Sequence, residues 1–327
     1  MKAITACRIF LLSVLLSVAS LAQSPADTME INTPIAPEPP MLGPHFARGE
    51  RSDAVKARHH HDHGANVAPD TTVTSPDVIW HNGPVLPAST TTTIFWGKKW
   101  AKSSFVADKI SGLDSWYEGF AGSTYAATAD EYTGTGTQQV EAQSTYQGHV
   151  IDTSSAPKSA PATSTIQKEV CKILEKHPKL LVEKGYYAVY VDTPRGNATY
   201  CAWHSWGSCN NTLIEFGFFF DLDGDSGCDP ADTSGLHSEG LSALANVTGH
   251  ELTESRTDPR GTAWFDDEGE EISDKCAWTF GTPLLEFTTN ATFWKIQGNW
   301  SNAHYNAGIG YENLNGEFGC IDGGDYQ

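Results

Sequence analysis

The stretch from Ser238 to Thr257 constrains this chain more than any other, because it reads as one helix that is apolar along one side and chemically loaded along the other. Leu241, Leu244, Ala245, Thr248 and Leu252 recur at helical spacing, while Val247, His250, Glu251 and Glu254 fall toward the opposite side. Ser238 stands where an N-cap is wanted, and Pro259 disfavours helical geometry at Asp258, so the helix is expected to stop there. Inside it, HELTE sets His250 and Glu254 one turn apart, a spacing that lets both side chains grip one cation. The zinc-peptidase pattern HExxH has histidine at both ends, and its inner glutamate takes a proton from water that the metal activates. Here Glu254 stands at the second histidine's place, and a carboxylate is also an accepted zinc ligand. The competing expectation is an exposed helix on which Glu251 and Glu254 are merely solvated and His250 is a surface or cap residue.

A catalytic zinc needs a third protein ligand beside His250 and Glu254. Downstream carboxylates offer it: Asp258 in the TDPRG corner, then Glu270, Glu271 and Asp274 in DDEGEEISDKCAW. Glu271 is the first choice on spacing, since zinc peptidases of the thermolysin type take a glutamate about that far downstream. Asp258 and Asp274 serve equally as ligands or as groups that orient His250 and fix the turn. With zinc in place, Glu251 is the general base, and His204, His237, His304 or Tyr305 could stabilise the developing oxyanion. So many carboxylates also suit calcium, a harder cation. A separate calcium candidate is DLDGDSGCD, where Asp221, Asp223 and Asp225 have the alternating spacing that opens an EF-hand loop. Ser226 occupies the position where that loop needs glycine, and the shorter Asp232 occupies the twelfth.

The first residues carry Lys2 and Arg8 ahead of an apolar run from Ile9 to Val18 and small residues ending at Ala22, the pattern of a secretory signal over residues 1–22. Cleavage there removes Cys7 and leaves Cys171, Cys201, Cys209, Cys228, Cys276 and Cys320. In an oxidising compartment this predicts three disulfides, among fifteen pairings, stapling the second half of the chain. A secreted location, extracellular or periplasmic, is therefore expected. Forty acidic residues against 21 basic give a net charge of −19, and losing Lys2 and Arg8 takes this to −21. Such a surface repels phosphate backbones and anionic lipids, so no nucleic-acid or membrane partner is expected.

Residues 23–75 are rich in proline and histidine without amphipathic period, and read as a disordered linker or propeptide. His59, His60, His61 and His63 within it could touch metals. The folded domain is expected over residues 76–327. It holds a strand in TTTTIFWGKKW, helices over Lys109–Tyr117 and Thr165–Glu175, and strands over Tyr186–Asp192 and Leu213–Phe220. Interleaved helices and strands of this length imply one α+β domain, bilobed around a cleft.

Several segments together carry a resemblance. WHNGPVLPASTTTTIFWGKKW resembles the start of the EXORDIUM, or phosphate-induced, family of secreted proteins. YCAWHSW, GHELTESRTDP, AWFDDEGEEISDKCAW and NWSNAHYNAG are similar to secreted bacterial HExxE zincin-like relatives of that family. The resemblance runs from about residue 78 to 322. It implies a zincin-like mixed sheet with an active-site helix, and it puts weight on His250, Glu251, Glu254, Asp258, Glu271 and Asp274. On this basis the expected function is a secreted zinc peptidase acting on extracellular protein or peptide. The alternative is a non-catalytic EXORDIUM-like binding protein with a structural or calcium site.

Overall fold

Residues with no room for water on either face make the centre of this fold. The computed structural model describes residues 38–50 and 75–324. Six strands form one mixed sheet: Leu42–Phe46 (β1), Thr90–Trp96 (β2), Thr145–Asp152 (β3), Gly185–Pro194 (β4), Tyr200–Cys209 (β5) and Thr212–Asp221 (β6). Their order across the sheet is β1-β5-β6-β4-β2-β3. β3, β2, β4 and β6 run parallel to one another. Strands buried on both faces read as unbroken apolar runs, which is why TTTTIFW, GYYAVYVDTP and TLIEFGFFFD show no clean alternation. Phe216, Phe218 and Phe219 are fully buried, and each such side chain contributes roughly 1.5–3 kcal/mol.

β5 turns back antiparallel to β6 through Asn210 and Asn211, whose φ values of 49° and 64° are both positive, as the tightest hairpin turn demands. β1 then pairs antiparallel with β5 and closes that edge. Three helices cover the sheet: Lys109–Phe120 (α1), Thr163–Lys176 (α2) and Glu239–Thr257 (α3). The Tyr190 hydroxyl of β4 meets Tyr117 of α1 and Thr248 of α3, so these two helices share a face. α2 lies on the other face, tied to the end of β5 by Cys171–Cys209. The remaining disulfides join Cys201 to Cys228 and Cys276 to Cys320, so all six cysteines pair and the C-terminal half is stapled as expected. The architecture is mixed α+β.

α3 begins at its Ser238 cap, whose Oγ accepts from Leu241 N at 3.2 Å, and ends at Thr257 before Asp258 and Pro259. It is not the half-exposed helix its pattern suggests, for every residue from Gly240 to Thr257 is buried. Its polar side is covered by β5, by β1 and by a second, smaller core. Val78, Val85, Tyr132, Val140, Ile272, Cys276, Trp300 and Cys320 make that core, beside short strands such as Asn299–Trp300 and Phe318–Ile321. Polar α3 side chains thus lie where two cores meet, and both cores belong to the one compact unit that spans residues 38–327.

Residues 38–50 differ from the expectation of a structureless segment over 23–75. Leu42–Phe46 is a buried edge strand. Its order comes from pairing with β5 rather than from its own LGPHF sequence, which has weak strand propensity. The signal segment, His59, His60, His61 and His63 lie outside the described residues. Among the described residues no helix is long and apolar enough to cross a membrane.

Candidate metal centre

One turn of α3 places His250, Glu251 and Glu254 at full burial, which removes the expectation of a solvated helix face. His250 Nε2 lies 3.2 Å from Glu254 Oε1 and 3.6 Å from Asp274 Oδ1. Two ligands about 2.0–2.2 Å from a tetrahedral zinc stand about 3.3–3.6 Å apart, so the two separations from His250 suit a shared cation, and ligand atoms of all three residues lie within 4.8 Å of one another. Asp274 reaches the site from the short turn Asp274–Cys276, and its backbone N–H donates to Glu254 Oε1 at 3.0 Å. The Cys276–Cys320 disulfide anchors that turn two residues away.

A second group shares Glu254. β5 brings in His204, whose Nδ1 is 3.7 Å from Glu254 Oε2 and 3.4 Å from Glu251 Oε2, while its Nε2 is 3.8 Å from Glu271 Oε2. Glu254 and Glu271 therefore face opposite nitrogens of one ring, a poorer arrangement for a single cation than the His250 group. Glu271, first choice on spacing, sits with His204, and Asp274 sits with His250. Asp258 does a different job. Its Oδ1 accepts from Thr262 N and Ala263 N, both at 2.7 Å, and so shapes the TDPRG corner. Glu270 donates its backbone N–H to Asp266 Oδ1 in the neighbouring turn.

Charge is concentrated here. Burial raises the carboxyls of Glu251, Glu254 and Glu271 well above the usual range. Neighbouring carboxylates push the same way, led by Asp274 for Glu251 and Glu254 and by Asp258 for Glu271. Asp258 is itself pushed up to about 7 by burial. Buried negative charge is tolerable when a cation shares it. The Oε2 atoms of Glu251 and Glu254 accept no hydrogen bond among the described residues, which leaves acceptor capacity inside the cluster. The donor set of imidazole and carboxylate fits zinc.

A layer of amides surrounds the ligands. Gln297 accepts at Oε1 from Trp278 N at 3.3 Å and lies 2.9 Å from His45 Nε2 through the same oxygen. Its Nε2 donates to Ser273 O at 2.8 Å and lies 3.0 Å from His250 Nδ1. Asn246, on α3 one turn before His250, accepts from Gln297 N at 2.8 Å.

The other sequence candidates lie elsewhere. His237 stacks on Trp294 with ring centroids 4.2 Å apart, His304 bonds to its cap Ser301, and Tyr305 packs on Trp300. Of the oxyanion candidates only His204 reaches the cluster. The acidic loop expected to suit calcium is satisfied within the chain: Asp221 pairs with Lys99 and Lys109, Asp223 with Lys109, and Asp225 with Arg195. His45 was not singled out by sequence, because nothing in LGPHF marks it. Its backbone N–H donates to Glu251 Oε1 at 3.3 Å, and its ring lies 4.3 Å from that of His250. Set against protein-family models and curated protein sequences, the chain matches none of them.

Proposed function

We propose that this chain is a secreted zinc-dependent peptidase that hydrolyses extracellular protein or peptide. The observation that carries the reading is the convergence of His250 Nε2, Glu254 Oε1 and Asp274 Oδ1 on separations that suit one tetrahedral cation. Zinc, when bound, supplies Lewis acidity and makes water acidic enough to lose a proton near neutral pH. Glu251, adjacent to His250, would accept a proton from the attacking water as the water oxygen bonds to the scissile carbonyl carbon, and would return it to the leaving amine as the C–N bond breaks. His204, whose Nδ1 lies 3.4 Å from Glu251 Oε2, is the group proposed to stabilise the developing oxyanion, a role its nearness to the base supports. Three disulfides accord with the oxidising compartment such a protein would work in. The test is metal analysis with a casein-type assay. Wild type is expected to hold one zinc and hydrolyse casein, and Glu251→Gln to keep the zinc and lose hydrolysis. Wild type with neither zinc nor hydrolysis removes the reading.

A second reading draws on the complete burial of the cluster and its wealth of oxygen donors. It makes the protein an EXORDIUM-like extracellular binding module with a structural calcium in place of a catalytic zinc. Thermal stabilisation by calcium, with no zinc retained, would favour it.

A further inference from the structure

One strand, β1, forms part of the cover over the candidate site. β1 adds to the edge of β5 with Leu42 opposite His204, His45 opposite Ala202 and Phe46 opposite Tyr200, and an irregularity at Gly43 and Pro44 kinks it inward. At that kink Gly43 has φ of +44° and touches the cluster. A Cβ there would lie 2.0 Å from Glu254 Oε2 and 2.7 Å from His204 Nδ1. Only bare main chain fits. Two residues on, His45 gives its N–H to Glu251 and packs its ring, tilted by 54°, against that of His250.

These contacts use the backbone as a substrate would. A peptide bound for hydrolysis lies extended along a sheet edge, with main-chain hydrogen bonds giving affinity. β1 occupies such an edge, and its main chain reaches both the proposed base and a proposed ligand. The surface cleft that leads to Asp274, about 370 Å³ in volume, is itself walled by Phe46, Ala47 and Gly49 with Trp278. His45 reaches further through Gln297. The His45 Nε2 lies 2.9 Å from the amide oxygen, and the amide nitrogen lies 3.0 Å from His250 Nδ1. Through Gln297 the docked strand is thus linked to the His250 ring as well as to Glu251.

We propose, on the basis of the zinc-peptidase reading, that residues 42–46 are an internal blocking strand. They occupy the place of an extended peptide substrate antiparallel to Tyr200–Cys209, and they hold zinc uptake and hydrolysis by the full chain below those of the uncovered site. Beyond the strand pairing itself, the fastenings of β1 include Glu38 at the start of α2, the Ser205 hydroxyl on Pro40 O at 2.6 Å, Ala47 N on Thr199 O, Arg48 N on Gly227 O, and the Trp278 indole on Phe46 O at 2.9 Å. The class of ligand for the uncovered edge is extended polypeptide with a glycine over Glu254.

The test starts from the full chain carrying a site-specific protease sequence between the exposed residues Gly49 and Glu50, cut after folding. Stripped protein is mixed with zinc alone to follow uptake, and casein hydrolysis is measured before and after the cut. A synthetic peptide of residues 38–50 (EPPMLGPHFARGE) is then added, alongside the same peptide with Gly43→Val. The expected result is uptake and hydrolysis at least about tenfold faster after the cut, inhibition by the native peptide, and none by the Gly43→Val peptide. His45→Ala in the uncut chain, a milder change, is expected to speed zinc uptake in the same direction. If zinc binds but cut and uncut proteins take it up and hydrolyse casein alike, and the peptide has no effect, the blocking strand is overturned while the metal site stands. If no form binds zinc, both fall.

Discussion

The backbone N–H of Asp274 is hydrogen-bonded to Glu254 Oε1 at 3.0 Å, so the turn that carries one candidate ligand is fastened to another. The helix and the turn are 20 residues apart in sequence and belong to different cores, and this contact makes their relative position part of the site. Asp274→Asn keeps the backbone donor and removes the ligand charge. It is expected to lower zinc affinity by about 10- to 100-fold or more, whereas Glu271→Gln leaves stoichiometric zinc. Zinc titration of stripped protein distinguishes the two, and equal loss in both would assign the third ligand differently.

The disulfide beside that turn should matter to metal and fold together. Replacing Cys276 and Cys320 by alanine opens a 44-residue separation and is expected to cost about 2–4 kcal/mol. Zinc affinity should fall with it, because Asp274 loses its anchor. Replacing Cys171 and Cys209, which join α2 to the far face of the sheet, should lower the melting temperature without weakening zinc binding. Melting curves and zinc titrations on both variants check this.

Asp258 acts through hydrogen bonds, so its substitutions should separate by shape. Asp258→Asn retains an oxygen for Thr262 N and Ala263 N and is expected to stay near wild-type stability and zinc content. Asp258→Ala leaves two buried N–H groups without that acceptor and should cost about 1–3 kcal/mol. Chemical denaturation reads the difference.

Glu215 provides a pH test away from the site. Burial pushes its carboxyl from an ordinary 4.5 up to about 8, against the opposing pull of Arg260, which lies 3.5 Å away. The folded value lies above the unfolded one. Its favourable contribution is therefore fully present below about pH 4.5 and is lost as pH rises through about 8. Glu215→Gln removes that loss, so the variant should gain on wild type as pH rises from 5 to 9, by an amount on the order of a few kcal/mol. A melting-temperature difference that stays flat across that range would contradict this.

Much of the scaffold can be read from local chemistry. Ser238 and Pro259 bound α3 because caps and proline act on the backbone beside them. The β-branched and aromatic runs of β2, β4 and β6 declare buried parallel strands. Legibility ends where order depends on a distant partner. LGPHF is a strand only because β5 lies next to it, and YCAWHSW reads as a motif before it reads as β5. His204 joins Glu251 and Glu254 across the sheet, a meeting no spacing rule encodes. Asp274 and Glu271 are both permitted by distance along the chain, and the turn at residues 271–276 decides which one meets His250.

The chain's departure from the two-histidine zinc pattern has a source in Glu254 itself. One of its oxygens turns to His250 and Asp274, and the other lies against Gly43 and His204. Imidazole could offer a nitrogen to the first pair only by thrusting a ring carbon at the second, where the Gly43 backbone leaves no room. A carboxylate is the one short side chain with an identical acceptor on each prong. Restoring the more familiar histidine would thus cost this protein its edge strand, and the shorter-looking motif is the version that a covered site can use.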